Sequence, residues 1–255
     1  MSATPRLYVA PELSESADIP IDGDQAHYLT RVLRLGVGDP VRLFNGRDGE
    51  FEARVSAVTK STVRLALAKR VREQVGTPDL WLLFAPLKKA RTDFLVEKAV
   101  ELGAAEIVPV ITERTDADSV RVDRLARLAI EAAEQTERLD VPPVREAVKL
   151  PALLAGWDPG RVLIYADEAG DEGGKPWGGE AGKAGPIASV LAAMADGPAA
   201  ILIGPEGGFS PAERKRLREL PFVRPAGLGP RILRAETAAV AALALWQASR
   251  GDWRR

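Results

Sequence analysis

The chain has 255 residues, with 35 basic and 36 acidic side chains and a formal net charge of −1. This length suits one small and one medium domain, and the near-neutral charge means that any nucleic-acid contact must come from a local basic patch. The chain has no cysteine and one histidine, which excludes thiol catalysis, disulfides and a multi-histidine metal site, so no bound metal is expected. The N-terminus lacks a basic-then-apolar signal and no stretch approaches about eighteen apolar residues, which predicts a cytoplasmic protein without membrane contact.

The first part of the chain has the pattern of a small β-rich domain. Apolar and polar residues alternate from Phe51 to Ala57 and from Val63 to Leu67, as in strands with one solvated face. An earlier predicted strand, Val41 to Phe44, is followed by two turn dipeptides, Asn45-Gly46 and Asp48-Gly49. Short strands joined by such turns predict a small β-barrel.

A helical pattern interrupts these strands between Gln25 and Arg34. Three apolar residues recur there at helical spacing: Leu29, Val32 and Leu33. Basic residues lie among them, at His27, Arg31 and Arg34. A short amphipathic helix with a solvated charged face explains this pattern, and a set of RNA contacts is the alternative.

The alternation ends near Arg72 to Pro78, where we place a linker, so that the predicted domains are residues 1–73 and 74–255. After it, apolar runs alternate with helical segments, which predicts a mostly parallel sheet covered on both faces. The predicted strands are Leu80 to Ala85, Ile107 to Ile111, Arg161 to Ala166, Ala199 to Ile203 and Phe222 to Ala226. The predicted helices are Thr92 to Leu102, Val120 to Arg138 and an apolar, buried one from Thr237 to Arg250. A Gly- and Ala-rich stretch from Ala169 to Gly185 predicts a flexible surface insertion.

Two glycine-bearing loops stand out near the C-terminus. In the first, ILIGPEGGFS (residues 201–210), a buried strand runs into Gly204 and a glycine pair, and Ser210 and Glu213 then form a capping box for a helix. In the second, LGPRILRAETA (residues 228–238), a turn leads into the alanine-rich helix. Two such loops can close around one ligand. Ordinary strand-to-helix turns are the alternative, and neither the dinucleotide fingerprint nor a P-loop is present.

The motif GPEGGFS followed by LGPRILRAETA resembles the cofactor-binding end of the SPOUT methyltransferases, and more closely the family that methylates N3 of a uridine in 16S ribosomal RNA. Three further segments resemble signatures of that family: AHYLTRVLRLGVGD, LKKARTDFLVEKAVELG and EAAEQTERLDVPPV. The chain departs from the family at Glu137, where a glycine is usual before Arg138, and this could alter the helix end there.

The resemblance implies an α/β fold in which a small PUA-like, RNA-binding β-barrel precedes a SPOUT-type, mostly parallel sheet with a C-terminal trefoil knot. It also implies S-adenosylmethionine as cofactor, 16S ribosomal RNA in the small ribosomal subunit as partner, and a homodimer.

Site residues are carried over from the same resemblance. The implied RNA contacts are Arg6, His27, Arg31 and Arg34, because guanidinium groups suit phosphates and splayed bases. The implied cofactor contacts are Ile203, Gly204, Glu206, Gly207, Gly208, Leu228, Gly229, Ile232, Leu233, Arg234 and Thr237. The implied catalytic residues are Arg234, Arg231 and Arg138, which would stabilise the charge left when uracil N3 loses its proton, and Glu206, which with Glu236 is a candidate proton acceptor.

Three other functions remain open from the sequence. A ribose 2′-O-methyltransferase would share the fold and cofactor. A non-catalytic RNA-binding assembly factor would need only the N-terminal domain and a basic face. A phosphate- or nucleotide-binding enzyme could use the helix start at Gly207 to Ser210 as an anion site.

Overall fold

The computed structural model describes residues 4–116, 119–167 and 184–254. Their contacts form two compact units: the described residues of Met1–Gly76 with Ile130–Val141, and those of Thr77–Ala129 with Pro142–Arg255. No sequence pattern indicated that Ile130–Val141 groups with the first unit. The division at residue 73 stays a prediction, and the predicted insertion lies almost wholly outside the described residues.

The first unit contains a five-stranded sheet in the order β1-β3-β4-β5-β2. Its strands are β1 (Arg6–Tyr8), β2 (Asp18–Asp22), β3 (Pro40–Phe44), β4 (Glu50–Val58) and β5 (Thr62–Arg72). Strands β1 and β3 are parallel and the other pairs are antiparallel. Irregularities in the β4–β5 register bend the sheet, and its inward side chains, among them Leu7, Val41 and Leu65, form one core. The predicted alternation of the two long strands is confirmed.

The helical pattern after β2 takes a different form from the prediction. A short helix α1 (Gly23–His27) continues as a π-helix, Tyr28–Val32, in which the Leu33 N–H donates to the Tyr28 carbonyl over five residues. A π-turn widens the helical spacing, so Leu29 is buried whereas Val32 is 60% exposed. The prediction of one apolar face shared by Leu29 and Val32 is therefore wrong.

The second unit is built on a seven-stranded sheet in the order β10-β12-β9-β11-β6-β7-β8, and every assigned pair is parallel. Its strands are β6 (Leu80–Phe84), β7 (Glu106–Ile111), β8 (Val148–Lys149), β9 (Val162–Ala166), β10 (Gly185–Pro186), β11 (Ala199–Ile203) and β12 (Val223–Gly227). All five residues of β11 are buried, and because successive side chains point to opposite faces, both faces of the sheet are covered there. The five predicted strands are confirmed.

The helices after α1 are α2 (Lys89–Glu101), α3 (Val122–Gln135), α4 (Leu150–Ala155), α5 (Ile187–Ala193), α6 (Pro211–Glu219) and α7 (Ala235–Ser249). Helices α4 and α6 contribute Leu154 and Leu217 to the core on one face of the sheet. Helix α7 packs against α2 and β11. Seven of its fifteen residues are buried, in keeping with the burial predicted from its apolar composition, whereas Leu245 on its outer side is 39% exposed.

Glu137, the departure from the family pattern, lies just after α3 with φ at 58°. This is the left-handed region that glycine favours, and a residue with a side chain adopts it at a cost of about 1 kcal/mol. The Arg72 guanidinium donates to the Glu137 carbonyl at 2.8 Å and holds the turn. The glutamate therefore keeps the backbone conformation that a glycine would adopt, and the helix end is not rearranged.

Candidate functional site

Both glycine-bearing loops leave the same edge of the sheet in the second unit. Strands β11 and β12 each pair in parallel with β9, so the loops that follow them emerge side by side at the carboxyl ends of the strands. In parallel α/β sheets this edge is where ligands bind.

The first loop is held from several directions. A Cβ atom at Gly204 would lie 3.0 Å from the Phe209 ring, so a side chain there would require the ring to shift. Gly208 has φ at 66°, and the Arg114 guanidinium donates to the Gly207 carbonyl at 2.8 Å.

The capping box that ends this loop is confirmed. The Ser210 hydroxyl accepts from the Glu213 N–H at 3.1 Å, and the Glu213 carboxylate accepts from the Ser210 N–H at 2.9 Å. The same carboxylate accepts from the Glu113 N–H at 2.8 Å. These bonds fix the start of α6 to the segment that follows β7.

The second loop is more open. Gly229 has φ at 107°, and in the described part of the chain no atom beyond its two chain neighbours lies within 4 Å of where a side chain would begin. Ile232 is 76% exposed, which is unusual for a large apolar side chain next to a helix start. Arg231 and Arg234 are exposed, and neither forms an ion pair within the described residues. The loop thus offers free guanidinium groups, an apolar contact and accessible backbone.

Arg91 of α2 links the two loops, a role that the sequence did not suggest. Its guanidinium donates to Glu206 of the first loop at 3.0 Å, and its Nε lies 3.7 Å from the Glu236 carboxylate in the first turn of α7. Glu206 is 44% exposed, whereas Glu236 is 14% exposed and its second oxygen is buried with no hydrogen-bond partner in the described structure. The predicted residues of both loops are therefore close together.

A buried charge network joins the end of β9 to α6. Asp167 accepts from the Tyr165 hydroxyl at 2.7 Å and pairs with Arg214 at 3.0 Å and Arg218 at 2.5 Å. Burial alone would raise the pKa of Asp167, but the hydrogen bonds from Tyr165 and Arg218 and the charge of Arg214 outweigh it and lower the pKa. Burial and the bond to Asp167 raise the pKa of the Tyr165 phenol. At neutral pH Asp167 is therefore ionised and the Tyr165 phenol is protonated, and the network fixes α6 behind the first loop.

Arg6, a predicted RNA contact, has a structural role in the first unit. Its guanidinium pairs with the fully buried Glu50 at 2.5 Å and lies 4.5 Å from the Phe44 ring centre. It also donates to three carbonyl oxygens at the end of α3, those of Ala133, Glu134 and Arg138. A guanidinium has five donor hydrogens, and these bonds occupy four of them. An RNA contact by Arg6 stays a prediction.

The other predicted RNA contacts are on the surface. His27 at the end of α1, Arg31 in the π-helix and Arg34 just after it are exposed, near the exposed side chains of Tyr28 and Val32. An aromatic ring beside basic groups suits unstacked bases and their phosphates. Their assignment to RNA stays a prediction that this exposure supports.

Arg138, predicted to be catalytic, groups with the first unit. Its guanidinium, 9% exposed, pairs with Asp140 at 2.8 and 3.1 Å. The glycine-bearing loops belong to the second unit. A catalytic role for Arg138 stays a prediction.

Glu134, next to Arg6, is expected to make the first unit less stable as the pH rises. Burial raises the pKa of Glu134 to about 7 from 4.5, and the N–H of Tyr8 opposes this by donating to its carboxylate. Because the folded pKa exceeds the unfolded one, the stabilisation is complete below pH 4.5 and is lost as the pH rises through 7. Glu134→Gln keeps an acceptor for Tyr8 and should be more stable than wild type by about 2 to 3 kcal/mol at pH 8, with little difference at pH 4.5.

Urea unfolding of both proteins at the two pH values measures this effect. Glu131→Gln is the comparison variant: exposed Glu131 raises the Glu134 pKa only through its charge, so this variant should keep the pH dependence of wild type with a smaller amplitude. A difference between wild type and Glu134→Gln that stays constant with pH would show that Glu134 does not titrate in this range.

Within the described residues, no group of three or more His, Cys, Asp and Glu side chains is arranged to hold a metal ion. In the same part of the chain, no helix has both the length and the hydropathy to span a membrane.

Two family models match the chain: an RNA methyltransferase domain over residues 75–247 and an RNA methyltransferase PUA domain over residues 21–67. The ribosomal RNA small subunit methyltransferase E of Rickettsia conorii is 32% identical over 240 residues, which cover 94% of this chain and 93% of the relative. The protein of that name from Bacillus subtilis is 27% identical over 244 residues, covering 91% and 90%.

Solved structures agree with these matches. Ribosomal RNA small subunit methyltransferase E from Neisseria gonorrhoeae, bound to S-adenosyl methionine, superposes with a TM-score of 0.82 at 26% identity, over 98% of this chain and 99% of that one. A methyltransferase from Legionella pneumophila with bound SAM gives a TM-score of 0.81 at 30% identity, over 98% and 99%. The predicted fold class, a PUA-like domain followed by a SPOUT-type sheet, is confirmed, whereas the trefoil knot stays a prediction.

Proposed function

The chain belongs to the ribosomal RNA small subunit methyltransferase E family, and from that membership we propose that it transfers a methyl group from S-adenosylmethionine to N3 of a uridine in 16S ribosomal RNA. The observation that carries the proposal is the bridge from Arg91 to both glycine-bearing loops, with Arg231 and Arg234 left free beside them. The family membership favours an enzyme over a non-catalytic assembly factor.

The residues of the two loops fit the cofactor. At Gly208 and Gly229 no non-adjacent atom of the described residues lies within 4 Å of the side-chain position, so a ligand can approach the main chain closely. Exposed Ile232 offers an apolar contact for the adenosyl group. The further residues that we propose to hold the cofactor are Ile203, Gly204, Glu206, Gly207, Leu228, Leu233, Arg234 and Thr237.

The bound cofactor would supply a methyl group on an already activated sulfonium, so the protein's task is to position the acceptor and manage its charge. Uracil N3 must lose its proton, and the negative charge that remains is stabilised by Arg231 and Arg234. Both candidate proton acceptors contact Arg91, but Glu206 is 44% exposed and hydrogen-bonded to it at 3.0 Å, whereas Glu236 is 14% exposed and lies 3.7 Å from it. The second oxygen of Glu236 has no hydrogen-bond partner within the described residues. We therefore propose that Glu236 accepts the proton that leaves uracil N3.

We also propose that the enzyme works as a cytoplasmic homodimer. Helices α2 and α7 pack together, and each exposes a large apolar residue, Phe94 at 42% and Leu245 at 39%. Exposed apolar side chains of this kind suit a subunit interface. Sedimentation of the full-length chain measures its oligomeric state, and a monomer at micromolar concentration would contradict this part of the proposal.

The reaction is tested with labelled S-adenosylmethionine and small ribosomal subunits that lack the modification, followed by reverse transcription. Methylation at N3 blocks the base-pairing edge and is expected to stop the polymerase at one uridine. Ribose methylation lets the polymerase pass under the same conditions and would favour the 2′-O alternative. Absence of label transfer would favour a binding function.

A further inference from the structure

A wide cleft opens in the second unit beside the first glycine-bearing loop. Its volume is about 920 Å³, at the upper end of the range for ligand pockets. The start of α2, the start of α3 and residues Glu206 and Gly207 of the loop line it. We refer to it as the basic cleft, because six of its described lining residues are lysine or arginine and two are acidic.

The basic side chains of this cleft differ in how they are paired. Arg91 is bound to Glu206, Arg121 pairs with Asp123, and Arg124 pairs with Asp93. Lys88 and Lys89 are exposed and have no ion-pair partner in the described part of the chain. Among the described residues, therefore, no carboxylate neutralises the two lysines of the cleft.

The two free lysines stand where a helix least favours them. Lys88 is the N-cap of α2 and makes no side-chain capping bond, Lys89 is the first helical residue, and the first turn has no acidic side chain. Positive side chains at the positive end of a helix dipole repel it, whereas an anion there is stabilised. A local arrangement that opposes the fold in this way is typical of a functional position.

We propose that the basic cleft binds the phosphate backbone of the RNA beside the target nucleotide, with Lys88 and Lys89 contacting phosphates. This inference rests on the proposed function. Uracil N3 lies on the pairing edge, so the target base has to be splayed out of any helix to be methylated, and its flanking phosphates then need a binding site. Glu206 and Gly207 belong to both the cleft and the first loop, so RNA held in the cleft lies next to the proposed cofactor site.

The test compares the double variant Lys88→Glu/Lys89→Glu with wild type in binding to unmodified 16S ribosomal RNA over a range of salt concentrations. We expect Kd to rise roughly 10- to 100-fold at moderate salt, and the salt dependence of log Kd to fall by about 1.4, the value for two phosphate contacts on single-stranded RNA. Calorimetric affinity for S-adenosylmethionine should stay within about twofold of wild type, because neither lysine lies in the two loops.

The matched control is Lys215→Glu/Arg216→Glu, which reverses two adjacent exposed charges on α6 outside the cleft. If both double variants weaken RNA binding equally, only net charge matters and the proposal is overturned. Unchanged RNA affinity and salt dependence in the cleft variant would also overturn it. Loss of binding to assembled subunits with full affinity for free RNA would assign the cleft to a protein contact instead. Lys88→Gln/Lys89→Gln answers the same question if the glutamate variant does not fold. If wild type itself neither binds nor methylates RNA, the proposed function fails, which is a separate result.

Discussion

Replacing Arg234 by alanine is expected to slow methyl transfer roughly 10²- to 10³-fold, the usual effect of removing one group that stabilises developing charge. Arg234 is exposed, makes no side-chain capping bond to α7 and has no ion-pair partner in the described residues. Its truncation therefore removes no contact that holds the fold, and the free energy of unfolding should not change. Single-turnover methylation of unmodified subunits at saturating S-adenosylmethionine measures the chemical step.

Two further variants separate the role of the Arg234 side chain from a general effect of removing an exposed arginine. Arg234→Lys keeps the charge without the guanidinium geometry and should recover part of the rate. Arg216→Ala removes an equally exposed arginine from α6 and should retain the full rate. Wild-type turnover in Arg234→Ala would exclude Arg234 from the mechanism.

Replacing Arg6 by alanine is expected to destabilise the first unit by about 3 to 5 kcal/mol, the range seen when one partner of a buried ion pair is removed. The change removes the ion-pair partner of the Glu50 carboxylate, which has no solvent exposure. It also leaves three carbonyl oxygens at and just after the end of α3 without their donor. The remaining arginines near Glu50 are more distant, with Arg42 at 3.5 Å and Arg72 at 3.8 Å.

The measurement has to follow the first unit separately. All five tryptophans lie outside residues 1–76 and 130–141, so tryptophan fluorescence reports on the second unit alone. Amide hydrogen exchange resolves the strands of the first unit and should show the loss of protection there. Arg6→Met with Glu50→Leu replaces the pair by apolar groups and should recover much of the stability. An Arg6→Ala protein with unchanged exchange but weakened RNA binding would support the RNA contact inferred from the sequence.

Features that depend only on residues close together in the sequence were predictable. Short apolar runs located the strands of the parallel sheet, and the capping box of Ser210 and Glu213 located the start of α6. Glycine spacing located both loops of the site. Each of these signals acts over a few residues, so no knowledge of distant partners was needed.

Features that depend on distant partners were not predictable. Arg91 meets Glu206 across 115 residues of sequence, and Arg6 meets the Arg138 carbonyl across 132. Side-chain type alone does not show whether an arginine pairs inside the protein or remains free, so neither the internal bonds of Arg6 nor the bridging position of Arg91 was predictable. The RNA contact that the family resemblance implies for Arg6 stays a prediction. The π-helix after α1 was missed because regular 3.6-residue spacing was assumed.

The position of β11 in the sheet affects how the protein is made. This strand lies between β9 and β6, and its register pairs Ala199 with Leu80 and with Val162. A nascent chain that has not reached β11 therefore carries β6 and β9 with their central edges unpaired. Unpaired apolar strand edges promote aggregation, and pairing across a long sequence separation is slow. The second unit cannot complete its sheet until β11 has been synthesised, so nascent chains of this protein are expected to depend on chaperones.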